Sequence, residues 1–380
     1  MMQRRTLLKS TAAAALTAPA LSGLAQQVVT LKFHTFMSPL SGVWLNMHKP
    51  WMEKVEKESG GRIKFEAYPA MQLGGTPVQL YDQARDGVVD VVWTLPGNTA
   101  GRFPRVEVFE LPFMMNNAEA TSKAYWEYVQ TVAPDEFKDT HVLALHVHGP
   151  GMFHAKDKQI KRPDDLKGMK VRGPTRQVTK MLQAMGAIPV GMPLPQIPDA
   201  LSKGTIEACV IPWEVVPAVK VHELARFHSE FDPAGGALYT TTFVLAMNKK
   251  KYESLPPELK KIIDNNSGLA TSAWLGKVQQ ANDAASRKMA ADRGVRVYTV
   301  GVGTVDGEVI GFEGWSMRVR LDEQRRSALA GFADKMALVV GRSKFTPDGF
   351  EWREEEGVVY LNAVDGGDGR VPLKEALLPG

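Results

Sequence analysis

The sequence predicts an α/β protein made of two similar lobes with a cleft between them. Three observations carry this. A strand–helix–strand–helix–strand run occupies residues 28–93, the same grammar returns over residues 174–211, and 380 residues exceed one typical domain. Alternating strands and helices build parallel sheets with crossover helices. Small ligands collect outside the carboxyl ends of such strands and between lobes.

The first 25 residues stand apart from this pattern. Arg4-Arg5 precedes Thr6-Leu7-Leu8-Lys9, then a short alanine-rich run, then Gly23-Leu24-Ala25. A basic start, a brief apolar stretch and small residues at the end make a signal peptide cleaved near Ala25. The arginine pair followed by leucines and a lysine reads as a twin-arginine signal. Its apolar run is shorter than a membrane span, which needs about 20 apolar residues. The mature chain then has about 355 residues. Losing Arg4, Arg5 and Lys9 lowers the formal charge from +4 to +1, so the basic balance gives no reason to expect nucleic acid as a partner. The single cysteine, Cys209, excludes an intrachain disulfide, and its run Ala208-Cys209-Val210-Ile211 reads as buried strand.

In the first half, Val28–His34 alternates as a strand, and Val43, Met47, Trp51 and Val55 recur at helical spacing until Ser59-Gly60-Gly61. Residues 63–68 form a second strand ended by Pro69. A helix from Pro77 to Asp86 stops at Gly87, and residues 88–93 form a third strand. In the second half, residues 174–185 are helical, 188–192 a short strand, 197–203 a helix stopped by Gly204, and 205–211 a strand. Leu80 and Ile197 each precede a glycine by seven residues, and an acid follows each glycine by three, Asp90 and Glu207. A strand at 243–248, one long helical region from Pro257 to Asp292 and a strand at Val295–Tyr298 follow. Thirteen of the 34 glycines fall in the last 80 residues, too dense for long helices; only Leu321–Val340 reads as helical.

Several motifs in order resemble one family. They are Tyr68-Pro69 with Gly74-Gly75, Asp86-Gly87-Val88-Val89-Asp90, Phe109-Glu110-Leu111-Pro112-Phe113, Asp164 through Arg172, Ala200-Leu201-Ser202-Lys203-Gly204, and Val244 through Asn248. Over residues 1–298 the chain resembles the DctP-type solute-binding proteins of TRAP (tripartite ATP-independent periplasmic) transporters. The resemblance implies a periplasmic binding protein with crossing strands between its lobes and a long helix behind both. It divides the chain into a signal (1–25), a first lobe (26–147), a second lobe (148–238) and a shared crossing strand and helix (239–298). Residues 299–380 depart from the family; their composition fits a poorly ordered tail or one read in a shifted frame. The implied partners are a small organic carboxylate and the membrane permease subunits, with the protein a monomer or dimer.

Arg172 ends a strand just before Gly173-Pro174 and the start of a helix, where a guanidinium can pair with a carboxylate beside helix N–H donors. In the resembling family the arginine after Lys170-Val171 holds the ligand carboxylate. Some acid-sugar-binding members carry another arginine where this chain has Met152, followed by Phe153 and His154. That departure favours an apolar or aromatic monocarboxylate, oxo or hydroxy acid. The other candidates sit at strand ends: Phe33, His34 and Phe36; Trp93 as an apolar wall; Trp213, to pack on the ligand or close the cleft, with Glu214 adjacent; and Tyr239, Thr240 and Thr242 as hydroxyl donors. For each aromatic, core packing is at least an equal reading. Glu214 neighbours a cation in oxo-acid-specific members, but no metal or cofactor is expected here.

An enzyme is the competing class. His146, His148 and His154 lack carboxylate or cysteine partners at zinc-ligand spacing, and His222-Glu223 is followed by His228 instead of the histidine a zinc protease needs. Gly301-Val302-Gly303 opens no nucleotide loop. A periplasmic sensor is a third reading, which neighbouring permease genes would separate from transport.

Overall fold

The computed structural model describes residues 28–231 and 236–292, together with the backbone of strands 296–300, 308–312, 315–319, 350–355, 358–363 and 371–372. The expected helix 321–340 and the signal lie outside the described residues. In chain order the first elements are β1 (Val29–Thr35), α1 (Lys49–Glu58), β2 (Ile63–Tyr68), α2 (Leu80–Arg85), β3 (Val91–Thr94), α3 (Ala118–Thr131) and β4 (Thr140–Val147). Next come β5 (Met152–Ala155), β6 (Lys170–Gly173), α4 (Arg176–Ala184), β7 (Ile188–Gly191), α5 (Ile197–Ser202), β8 (Ala208–Ile211), α6 (Val221–Leu224) and β9 (Phe227–Phe231). Then β10 (Thr242–Asn248), α7 (Lys249–Glu253), α8 (Pro257–Asn265), α9 (Gly268–Asp292) and β11 (Arg296–Val300) complete the two lobes.

The first sheet has the order β2-β1-β3-β10-β4, and the second β11-β9-β5-β8-β6-β7. In each, three strands run parallel: β1 with β2 and β3, and β6 with β7 and β8. In each, an antiparallel strand comes next, β10 beside β3 and β5 beside β8. Read from one edge, β2-β1-β3-β10-β4 maps onto β7-β6-β8-β5-β9. The chain therefore crosses three times: β4 leads into β5 of the other sheet, β9 leads back to β10, and α9 leads on to β11, which pairs with β9.

The paired sequence pattern has a structural cause. Gly87 and Gly204 both have positive φ, +77° and +69°, and close the short helices α2 and α5 with the left-handed turn that glycine favours. Three residues on, Asp90 accepts from the Lys32 amide at 2.7 Å and Glu207 from the Lys170 amide at 2.9 Å. Each acid thus fastens the start of its own β–α–β unit to the central strand. Those central strands, β1 and β6, deliver Phe36 and Arg172 toward the space between the lobes.

The long helical region expected over 257–292 is present and is divided into two helices. Asn266 caps α8, and Gly268 takes φ +80°, a conformation that cannot continue a right-handed helix. Beyond the break, α9 binds both lobes. Toward the first lobe, Ser272 accepts from the Leu145 amide at 3.0 Å and Gln280 from the Ala118 amide at 2.7 Å. Toward the second, Asp283 accepts from the Glu214 amide at 2.9 Å, and Arg287 pairs with Glu230 at 2.8 Å. At Gly276 the helix lies so near α3 that a Cβ would overlap Ser122 Oγ and the Ala118 carbonyl. Gly276→Ala is expected to cost about 3 kcal/mol through overpacking against backbone that cannot yield. A shift of the urea midpoint at unchanged slope checks it; an unshifted midpoint would show that the two helices can separate freely.

Candidate functional site

Arg172 occupies the carboxyl end of β6 and is 3 % exposed. Its Nε donates to the Met192 carbonyl at 2.9 Å and its Nη1 to the Val210 carbonyl at 3.2 Å. These bonds hold the guanidinium plane by one side and leave its other N–H groups for a partner. Among the described residues no acidic side chain pairs with it. Burial pushes its pKa down to about 10, opposed only by Tyr239 and Cys209. A guanidinium at that value is still cationic at neutral pH. It is a desolvated positive charge with no acidic counterion among the described residues.

The cation faces a narrow cleft, about 380 Å³ of empty space out to open solvent, whose walls come from both lobes. Trp93 ends β3 and lies parallel to Phe243 of β10, ring centres 4.4 Å apart and planes 12° off parallel. Phe36 packs on Trp93 at 5.4 Å. Trp93 is fixed from behind, because its Nε1 donates to His146 Nε2 at 2.7 Å. Val210, Ile211 and Pro212 supply the facing wall from the second lobe. Near Arg172 stand His148, Thr241 and Tyr239. The Tyr239 hydroxyl is buried without a hydrogen-bond partner. Its ring lies over Gly151, where any Cβ would overlap it, so the glycine makes room for the tyrosine. Burial, with the nearby Arg172 charge, depresses the His148 pKa to about 4, so this ring is a neutral neighbour of the cation. A flat apolar slot ending in a guanidinium and a hydroxyl suits a planar carboxylate.

The structure brings Arg172, Trp93, Phe36, Tyr239 and Glu214 together at this cavity and places the other candidates elsewhere. Phe33 is core, against Trp44, His48 and Trp51. His34 Nδ1 bonds the Gln83 side chain at 2.7 Å. Met152 pairs across the sheet with Ile211, and His154 bonds His228 at 2.6 Å and the Ile211 carbonyl at 3.1 Å. Trp213 turns its indole away to donate to Glu230 at 2.6 Å. Thr240 donates to the His148 carbonyl at 2.8 Å and Thr242 to Glu110 at 2.8 Å. The two threonines are off by strand parity: side chains alternate, so Tyr239, Thr241 and Phe243 share the cavity face while Thr240 and Thr242 point behind it. Gln279, contributed by α9, has no local sequence signal at all. Cys209 is fully buried and its thiol is pushed up to about 12 by burial, an inert filler as expected. The three histidines read as a possible metal cluster have separate partners: Trp93 for His146, the Gly149 carbonyl for His148, and His228 for His154.

Across the mouth of the cleft the lobes are joined by an ion pair. Glu107, on the turn Val106–Glu110 of the first lobe, accepts from Arg176 at 2.7 Å and from Gln177 at 2.6 Å, both at the start of α4 in the second. The arginine is 30 % exposed, which tempers the attraction. Glu107→Ala is expected to weaken ligand binding about three- to tenfold by destabilising the closed arrangement, about 1 kcal/mol. Stopped-flow release should show the change in the dissociation rate. An unaltered rate would mean that the pair does not hold the cleft shut.

Three crossing connections, two sheets of matching order and a cation-ended cleft define a two-lobed ligand-binding protein. The family model "bacterial extracellular solute-binding protein, family 7" (DctP) matches residues 34–302, and the chain belongs to that family. A TRAP solute-binding protein from Rhodoferax ferrireducens T118, solved with copurified benzoate, is 76 % identical, with 72 % of this chain and 85 % of that one covered and a TM-score of 0.72. A marine-metagenome TRAP solute-binding protein specific for aromatic acid ligands, solved with 3-hydroxybenzoate, is 53 % identical, with the same coverage and a TM-score of 0.71. The 2,3-diketo-L-gulonate-binding periplasmic protein of Escherichia coli K12 is 25 % identical over 268 residues, 69 % of this chain and 78 % of its own. The chain is therefore a TRAP solute-binding protein, of a family that is periplasmic. Among the described residues no helix is long and apolar enough to cross a membrane.

Proposed function

We propose that this protein captures an aromatic monocarboxylate after export and delivers it to a TRAP membrane permease, without chemistry on the ligand. The observation that carries the reading is Arg172: a buried cation with no acidic partner, at the end of a slot walled by Trp93, Phe243 and Phe36. The ligand carboxylate supplies the missing charge, and the ring lies against the Trp93 face. The relatives solved with benzoate and 3-hydroxybenzoate support this choice of class. The half-buried Met152 lies outside the slot, so a second anion clamp there is not needed by such a ligand. Export follows from residues 1–25, with cleavage near Ala25 and passage by the twin-arginine route. The mature protein acts as a monomer or dimer.

Calorimetric titration of the mature protein tests the reading. Benzoate and its hydroxylated relatives are expected to bind, and dicarboxylates and uronates to bind far more weakly. Folded protein that prefers a dicarboxylate would overturn the assignment. Mass spectrometry of exported protein checks the cleavage point.

A further inference from the structure

The cavity has a second polar end, which the carboxylate clamp does not use. Glu214, on the turn after β8, and Gln279, on α9, both line it and are 2 % and 1 % exposed. Gln279 Nε2 donates to Glu214 Oε1 at 2.6 Å, and the Glu214 amide is taken by Asp283. That leaves Glu214 Oε2 and Gln279 Oε1 buried without partners. Glu214 also borders an outer hollow near Leu40–Gly42, whereas Gln279 borders the inner cavity, which fixes the pair at the inner cavity wall.

This end has different neighbours from the clamp. The groups that bear on the Arg172 charge are Tyr239 and Cys209; those that bear on Glu214 are Gln279 and Asp283. Arg172 touches Val210, and the chain then runs extended through Pro212 before the turn that carries Glu214. Between the two ends lie aromatic and aliphatic walls. A plain ring would leave two buried polar atoms unpaired in a closed cleft, at the full desolvation penalty.

We propose that Glu214 and Gln279 form a hydroxyl-reading subsite, so that the protein prefers an aromatic acid bearing a ring hydroxyl over the unsubstituted acid. The inference rests on the aromatic-carboxylate reading of the cavity. A phenolic hydroxyl donates to Gln279 Oε1 and accepts from Glu214. Burial raises the Glu214 pKa to about 8, so the carboxyl is mostly neutral at pH 7 and has an O–H to give. A carboxylate at this end is disfavoured, because burying its charge here carries the desolvation cost without the Arg172 cation to offset it.

The test is a titration series with benzoate and with 2-, 3- and 4-hydroxybenzoate, on wild type, Glu214→Leu, Glu214→Gln and Gln279→Met. At least one hydroxybenzoate is expected to bind wild type about tenfold or more tighter than benzoate. The ratio should fall toward one in E214L and Q279M and be largely kept in E214Q, whose amide can still donate. Wild type that binds benzoate as tightly as every hydroxybenzoate overturns this inference alone. So does a preference that survives unchanged in both E214L and Q279M. Folded wild type that binds none of the four overturns the underlying reading of the cavity as well.

Discussion

Arg172→Met is expected to weaken binding of an aromatic acid by a factor of several hundred or more while leaving the unliganded protein about as stable as before. The two halves of this expectation have different causes. On the proposed reading, the guanidinium of the complex makes charge-assisted hydrogen bonds to a carboxylate in a closed, mostly apolar cleft. Losing two such bonds costs about 3–5 kcal/mol, which corresponds to several-hundred-fold or more in Kd. In the free protein, the same guanidinium is a buried cation with no acid beside it, and burial alone has dragged its pKa to about 10. Removing it relieves a desolvation penalty and sacrifices bonds to the Met192 and Val210 carbonyls. Those effects oppose, so the unliganded unfolding free energy should move by less than about 2 kcal/mol. Calorimetry for affinity and urea unfolding for stability measure the two separately. Arg172→Lys should fall between, because an ammonium keeps the charge and loses the planar fork. A variant that binds as wild type would remove Arg172 from the site. One that unfolds at once would make the residue structural.

The sequence made some of this readable and hid the rest, for definite reasons. The β–α–β grammar was visible because glycines that need positive φ, Gly87 and Gly204, punctuate it, and because Asp90 and Glu207 recur at one offset. The insertion of β10 between β3 and β4 was not visible, since antiparallel pairing across about a hundred residues leaves no periodic trace. The break at Gly268 has a local signal, the run Asn265-Asn266-Ser267 before it, which a long helical pattern on either side outweighs. Arg172 was legible because the end of a parallel strand is where a cleft must open and the motif placed it there. The threonines beside it were missed by one residue, because parity depends on a register that only the folded sheet fixes. Trp213 illustrates a third kind of failure. Its position after a strand end suits a ligand wall, yet its indole N–H needs a buried acceptor and finds Glu230 on the far side.

The unliganded protein should be most stable in mildly acidic solution, with stability falling on both sides for opposite reasons. On the acid side, burial holds His48 and His146 at pKa values of about 3, His148 and His228 at about 4, and His154 well below its usual value. Depressed histidines keep the folded state neutral while the unfolded chain takes up protons, so each erodes stability as pH drops from about 6.5 toward its folded value. On the other side, burial raises Glu110, Glu136 and Asp283 to about 7 and Glu214 to about 8. A raised carboxyl stabilises the fold most below its unfolded pKa near 4.5, and that contribution is lost as pH climbs through the folded value. Between about 4.5 and 6.5 the two sets oppose each other and the profile is flat. Below 4.5 the histidines act alone; above 6.5 the carboxyls do. His48 has neither ring nitrogen bonded, so His48→Leu should be well tolerated at pH 6 and should flatten the acid flank by about 2 kcal/mol. Glu214→Gln should flatten the alkaline flank by a similar amount, about 2 kcal/mol between pH 6.5 and 8. Urea unfolding from pH 3.5 to 8.5 measures both flanks on one axis. If the two variants alter the same flank, or neither, then the buried groups titrate in the folded state much as they do in the unfolded chain, and burial does not govern their charge.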